Sequence, residues 1–220
     1  MENSILTERQ KKFLESFSAD EFLSKHFCLS GGTALAGFYL HHRYSEDLDF
    51  FSETEFDITE INVFFTKIKK GLNIKKLDFK QSYNRNIFFC HFDDEILKIE
   101  FTYFPFPKIE KVDFKDGLGI ESMIDLAVNK LFTIYQRTAA RDYIDLYFIC
   151  KEKDYKISDL ISKARVKFDW YIDFIQLATQ FIKVKDVFDL PRMVKEIEPR
   201  EWQIFFIKEA ENLKKEILEE

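Results

Sequence analysis

Residues 29–51 run Leu-Ser-Gly-Gly-Thr-Ala-Leu-Ala-Gly-Phe-Tyr-Leu-His-His-Arg-Tyr-Ser-Glu-Asp-Leu-Asp-Phe-Phe (LSGGTALAGFYLHHRYSEDLDFF). An apolar strand over His26 to Leu29 ends at Ser30-Gly31-Gly32. A helix follows from Thr33 to His42, with Leu35, Phe38 and Tyr39 apolar, and Leu48 to Phe51 forms a second strand. Two glycines permit a tight turn and a close approach of backbone to a ligand. The helix behind them offers free N–H groups and a positive dipole end, which suits phosphate. Taken alone, a Gly-Gly turn is often only a turn. Asp47 and Asp49 lie fifteen and seventeen residues beyond Gly32. At strand spacing both carboxylates share a face, while Leu48 and Phe50 point the other way. Two like charges side by side favour a cation, and Mg²⁺ prefers one or two carboxylates plus substrate phosphates. A solvated pair on an exposed strand is the bland alternative.

Outward from this stretch, residues 5 to 25 read as one helix carrying Ile5, Phe13, Leu14 and Phe17 on one side. Asp57 to Lys70 reads as another, with Ile58, Ile61, Phe64, Phe65 and Ile68 at helical spacing. Leu77 to Tyr83, Asn86 to Phe92 and Ile96 to Phe104 alternate as strands, joined by turns at Asn84-Arg85 and Asp93-Asp94-Glu95. In the last strand Leu97, Ile99 and Phe101 share one face, and Glu100 takes the other. Glu100 could join the Asp pair if the two strands are neighbours; otherwise it is a surface acid beside Lys98. After Gly117 and Gly119 the pattern becomes helical only: Glu121 to Arg137, Ala140 to Cys150, Ser158 to Trp170, Tyr171 to Val184 and Glu201 to Leu218, with Pro199 suited to a first turn. The expected fold is α+β. A domain with a small mixed sheet spans 1–115, and a helical domain spans 116–220.

The chain has 220 residues, 46% apolar and 33% charged, which suits a folded globular protein. Its 26 phenylalanines are expected to fill the core. With 39 acids against 33 bases, the net charge of -6 does not draw the whole molecule to nucleic acid. A local basic stretch holding Lys67, Lys69, Lys70, Lys75, Lys76 and Lys80 could do so, or could be an ordinary solvated surface. Cys28, Cys90 and Cys150 sit apart in apolar runs and read as reduced core residues, so a zinc centre is not expected. No leader and no membrane-spanning run is evident, and the cytoplasm is the expected location.

The order Gly-Gly, Asp-x-Asp, later carboxylate strand resembles the nucleotidyltransferase superfamily that includes polymerase beta. The run LSGGTALAGFYLHHRYSEDLDFF resembles its AbiEii/AbiGii branch, the toxins of type IV toxin–antitoxin and abortive systems, which are related to the MenT toxins. LKIEFTYFPFP (97–107) is similar to that branch's third-carboxylate strand, NKLFTIYQRTAARDYIDLYFI (129–149) to its Lys…Arg-Asp-x-x-Asp-Leu motif, and DLPRMVKEIEPREWQIFF (189–206) to its C-terminal segment. Two departures stand out: a slightly long spacer before Asp47, and Glu100 where Asp is frequent.

Lys130 lies within an apolar stripe of Leu126, Ala127, Leu131 and Ile134, so it needs an anion: a triphosphate, or Asp145 on the next helix. Arg141 and Asp145 could instead pair at i, i+4 on the surface.

The resemblance implies an NTP bound between the two domains and a transfer of NMP to an acceptor hydroxyl. Asp47, Asp49 and Glu100 would be ligands of two Mg²⁺ ions, Glu100 being either a ligand of the second ion or the base that helps deprotonate the attacking hydroxyl. Ser30, Gly31, Gly32 and Thr33 would hold phosphate, helped by Lys130, with Asp142 and Asp145 as further nucleotide contacts; Arg43 and Ser45, between the helix and the Asp pair, either touch phosphate too or are ordinary loop residues. It also implies tRNA or another macromolecule as acceptor, and a neighbouring antitoxin. A small-molecule nucleotidyltransferase and a non-catalytic nucleotide-binding protein are the other readings.

Overall fold

The strands expected from alternation join, in a computed structural model that describes residues 5–219, into one mixed sheet. The chain divides into two compact units. The first runs through Tyr39 and takes in Ser45–Pro107 and Lys111–Ser122; the second holds Leu40–Tyr44, Lys108–Glu110 and the chain from Met123 onward.

In the first unit, α1 (Glu8–Ser18) starts at a capping box: the Thr7 hydroxyl accepts from the Gln10 N–H, and the Gln10 side chain accepts from the Thr7 N–H. The helix expected over 5–25 is in fact two. Asp20 is extended and its carboxylate caps the Leu23 N–H, so the chain restarts as α2 (Glu21–His26). β1 (Cys28–Ser30) leads into α3 (Gly31–Ala34), which continues as a π-wound turn over Leu35–Leu40. β2 (Leu48–Ser52) and α4 (Ile58–Ile68), capped by Asp57, follow.

Next come β3 (Lys76–Ser82), β4 (Arg85–His91) and β5 (Ile96–Tyr103). The turn between β3 and β4 is Tyr83-Asn84, one residue earlier than expected, because Tyr83 takes the positive φ of 51° and Arg85 already pairs with Ser82. β6 (Asp113–Lys115) and β7 (Leu118–Ile120) form a hairpin that the sequence reading left out. The sheet order is β3-β4-β5-β2-β1-β7-β6, with β2/β5 and β1/β7 parallel and the other pairs antiparallel.

One sheet face is filled with phenylalanine. Phe17 stacks on Phe50 with centroids 4.1 Å apart, Phe50 on Phe101 at 5.2 Å, and Phe65 on Phe88 at 4.4 Å. These five rings are at most 1% exposed. Their burial seats β2 and β5, and so sends Asp49 and Glu100 to the opposite face.

The second unit is helical: α5 (Met123–Gln136), α6 (Ala140–Lys153), α7 (Ile157–Phe168), α8 (Phe174–Ile182), a 3₁₀ turn over Lys183–Asp186, and α9 (Pro199–Glu219). Its core gathers Tyr143, Phe181, Trp202 and Phe206. A buried ion pair, Lys167 Nζ to Asp125 Oδ1 at 2.7 Å, sits where Asp125 also accepts from the Ile109 and Glu110 N–H groups. The short segment Leu40–Tyr44 is tied to the C-terminal part of this unit: the Tyr44 N–H donates to the Arg192 carbonyl, and the Val194 N–H to that of His42.

Candidate active site

The register of the sheet brings the acids together. Asp49 on β2 is directly opposite Glu100 on the parallel strand β5, and opposite Ser30 on β1. Asp47 precedes β2, and its carbonyl accepts a hydrogen bond from the Thr33 hydroxyl. Gln10 Nε2 donates to the Ser45 carbonyl at 2.9 Å and the Glu46 carbonyl at 3.1 Å. The loop entering the Asp pair is thus held on two sides. Gln10 was missed from sequence, although the Thr-x-x-Gln capping signal that buries it was legible.

Gly31 has φ +66°, and a Cβ there would lie 2.5 Å from Asp49 Oδ2. Only glycine lets the turn approach this carboxylate. Ser30 donates its hydroxyl to Glu121, a buried carboxylate that sequence reasoning did not single out. The Ser30 and Thr33 hydroxyls are therefore engaged within the protein, and what the turn presents is backbone, with Gly32 half-buried beside Gly31.

Asp47 and Glu100 already have cationic partners. Lys98 Nζ stands 2.8 Å from Asp47 Oδ2 and 3.7 Å from Glu100 Oε2. Arg85 forks onto Glu100, with Nε to Oε1 at 2.5 Å and Nη2 to Oε2 at 2.6 Å, and the Thr102 hydroxyl donates to Oε1 at 2.9 Å. Burial by itself would raise the Glu100 carboxyl, but Arg85, Thr102 and Lys98 outweigh it and hold it below its ordinary value. Among the described residues no three His, Cys, Asp or Glu side chains converge as a ready metal site. The donor set still fits a hard divalent cation. Asp47 and Asp49 are half-buried oxygen donors beside a glycine turn, and the Lys98 ammonium already bridges two of the carboxylates as a cation would.

The second unit holds its own charged cluster. Asp145 is fully buried and accepts from Arg43 Nε at 2.6 Å, Arg43 Nη2 at 2.8 Å and His42 Nε2 at 2.8 Å, with Lys130 Nζ 2.7 Å away. Lys130 also donates to Asp142 at 2.8 Å, and Asp142 accepts from Arg137 at 3.0 Å. Burial opposes ionisation of Asp145, yet Lys130, Arg43 and His42 hold its carboxyl well below the usual range. Lys130 therefore satisfies its charge on Asp142 and Asp145 together. The surface pair of Arg141 with Asp145 does not form: Arg141 is exposed, and Asp145 takes Arg43 instead. Arg43 is 4% exposed and its fork is spent on Asp145, so it anchors that acid.

An α+β unit with this glycine turn, this Asp-x-Asp strand and a carboxylate strand in parallel register has the polymerase-beta-like nucleotidyltransferase fold. Two crystal structures from Helicobacter pylori share it. One, of a candidate nucleotidyltransferase, is 22% identical with a TM-score of 0.63 and covers 97% of this chain and 98% of that one. The other, of JHP933, is 22% identical with a TM-score of 0.60 and covers 97% and 95%. The family described as nucleotidyl transferase AbiEii toxin, type IV toxin–antitoxin system, matches residues 12–219, and the chain belongs to it. An uncharacterized protein of Aquifex aeolicus (strain VF5), aq_aa25, is 29% identical over 177 residues, 79% of this chain and 80% of that protein. No described helix is long and apolar enough to cross a membrane.

Proposed function

We propose that the chain transfers NMP from an NTP to an acceptor hydroxyl, with Mg²⁺ in a two-ion arrangement and tRNA as the acceptor, acting as a cytoplasmic toxin whose cognate antitoxin restrains it. The observation that carries this reading is Asp49, set opposite Glu100 and against the side-chain-free Gly31. The acceptor hydroxyl gives up its proton to water as its oxygen forms a bond to the α-phosphorus, the bond from that phosphorus to the bridging oxygen breaks, and pyrophosphate leaves. Asp47 and Asp49 would hold the metal, which when bound supplies charge neutralisation and a more acidic acceptor hydroxyl. The backbone of Ser30 to Thr33 holds phosphate without side-chain obstruction at Gly31 and Gly32. Thr33 and Gln10 fix the approach to Asp47, so that positioning supplies a large part of the rate. Lys130 serves as a nucleotide contact, and Asp142 and Asp145 set its orientation. Glu100, with three of its about four acceptor positions taken by Arg85 and Thr102, is poorly placed to accept a proton.

The test combines the protein with Mg²⁺, each α-labelled NTP, and either total tRNA or a panel of small molecules. Label on RNA supports the proposal, label confined to small molecules moves the acceptor, and NTP binding without transfer overturns the enzymatic reading. Asp49→Asn is expected to abolish transfer and relieve toxicity on expression while leaving the circular dichroism spectrum unchanged. Retained transfer would remove Asp49 from the metal site.

A further inference from the structure

Arg85 was read from sequence as a turn residue. It is instead the first residue of β4, opposite Thr102 on β5, and it reaches diagonally to Glu100, which faces Ile87. An ionised carboxylate offers about four acceptor positions. At Glu100 three are taken by the two Arg85 N–H groups and the Thr102 hydroxyl, and Lys98 stands 3.7 Å from Oε2. The Glu100 side chain is 5% exposed and that of Arg85 is 53% exposed, so the guanidinium covers a buried acid with its outer face in solvent. Arg85 also feels the charges of Asp49 and Asp47 beyond its hydrogen bonds to Glu100.

We propose that Arg85 is a resident counter-cation that competes with a divalent ion for Glu100, and so sets the divalent-ion concentration at which the acidic site loads. A divalent ion gains Glu100 as an unobstructed ligand when the guanidinium swings away, because the fork occupies an acceptor position on each oxygen and Thr102 takes a third of the about four. The half-exposed guanidinium can swing into solvent, whereas the Glu100 carboxylate is buried. This inference rests on the metal reading of Asp47 and Asp49 given above.

The experiment measures Mn²⁺ binding to the nucleotide-free protein, with free Mn²⁺ followed by electron paramagnetic resonance. Arg85→Gln is expected to lower the half-saturating Mn²⁺ concentration by about fivefold or more, the scale of a coupling between two sites. The gain must disappear in the Glu100→Gln background, since Arg85 then has no carboxylate to withhold. Arg85→Lys, which keeps the charge but cannot fork, is expected to lie between wild type and Arg85→Gln, and it tests the idea should Arg85→Gln lose its native circular dichroism spectrum. Unchanged or weaker binding in Arg85→Gln overturns the proposal and leaves the nucleotidyltransferase reading standing. An equal gain with and without Glu100 also overturns it, since only distant charge would then be at work. If Asp47→Asn and Asp49→Asn together leave Mn²⁺ binding undiminished, it is the metal reading itself that fails.

Discussion

At the scale of single residues, the site depends on an atom that is absent. Gly31 combines a positive φ of 66° with a Cβ position 2.5 Å from Asp49 Oδ2. Gly31→Ala therefore meets two penalties: left-handed backbone strain of about 1–2 kcal/mol per residue and displacement of a carboxylate that is itself tied into β2. Misplacing a reacting group by about 1 Å can cost about 100-fold in rate. We expect Gly31→Ala to stay folded with a slightly lower urea midpoint and to lose about 100-fold in kcat; near-normal turnover would show that Asp49 does not need its observed position. The shared face of Asp49 and Glu100 was legible because β-strand period assigns faces, whereas Asp47 precedes β2. Their partners were not. Arg85 was placed in a turn, and Asp145 was offered Lys130 or Arg141 but not Arg43, because local spacing is visible in a sequence and long-range pairing mostly is not. Arg43 and Asp145 are 102 residues apart.

Among the elements, α5 and α6 hold a charge network whose members can be ranked. Removing Lys130 leaves Asp142 with Arg137 and Asp145 with Arg43 and His42, so each acid keeps a donor. Removing the charge of Asp145 leaves buried Arg43 without its forked partner, the situation that costs about 3–5 kcal/mol. Asp145→Asn is thus expected to lower stability at neutral pH much more than Lys130→Gln, while Lys130→Gln weakens NTP binding measured by calorimetry. The opposite ranking in urea denaturation would mean that Lys130, not Arg43, is the main support of Asp145. The elements themselves were read unevenly, for physical reasons. Long periodic segments such as α4, β5 and α5 show in the sequence because their apolar faces repeat. The β6–β7 hairpin did not, since three-residue strands carry too little alternation. Its Asp116-Gly117 turn, with φ of 50° and 79°, was nevertheless the kind of dipeptide that joins hairpin strands. The break between α1 and α2 was likewise written in Asp20, a capping residue inside an otherwise helical pattern.

For the whole molecule, pH acts through groups whose protonation changes on folding. Burial holds His42 below its ordinary value despite its bond to Asp145, and its Nδ1 has no partner among the described residues. The native state thus favours the neutral ring, and the unfolded chain takes up the proton first as pH falls below about 6.5. Stability therefore begins to decline there. Asp145, Asp142 and Glu100 are all held below the usual carboxylate range. Their contribution is complete above about pH 5 and is lost as pH falls through the unfolded and then the lowered native values. Self-repulsion adds to this once the chain is well below its pI of about 5.4 and becomes cationic. Urea midpoints followed by the fluorescence of buried Trp202 should then show a shallow decline from about pH 6.5 and a steep one below about pH 4. His42→Gln, whose amide can still donate to Asp145, should flatten the first stage and leave the second. Asp145→Asn should start far less stable, and the gap to wild type should narrow as pH drops, because protonating Asp145 does to the wild type what the substitution has already done. A gap that stays constant down to about pH 3 would mean that Asp145 does not owe its ionisation to Lys130, Arg43 and His42.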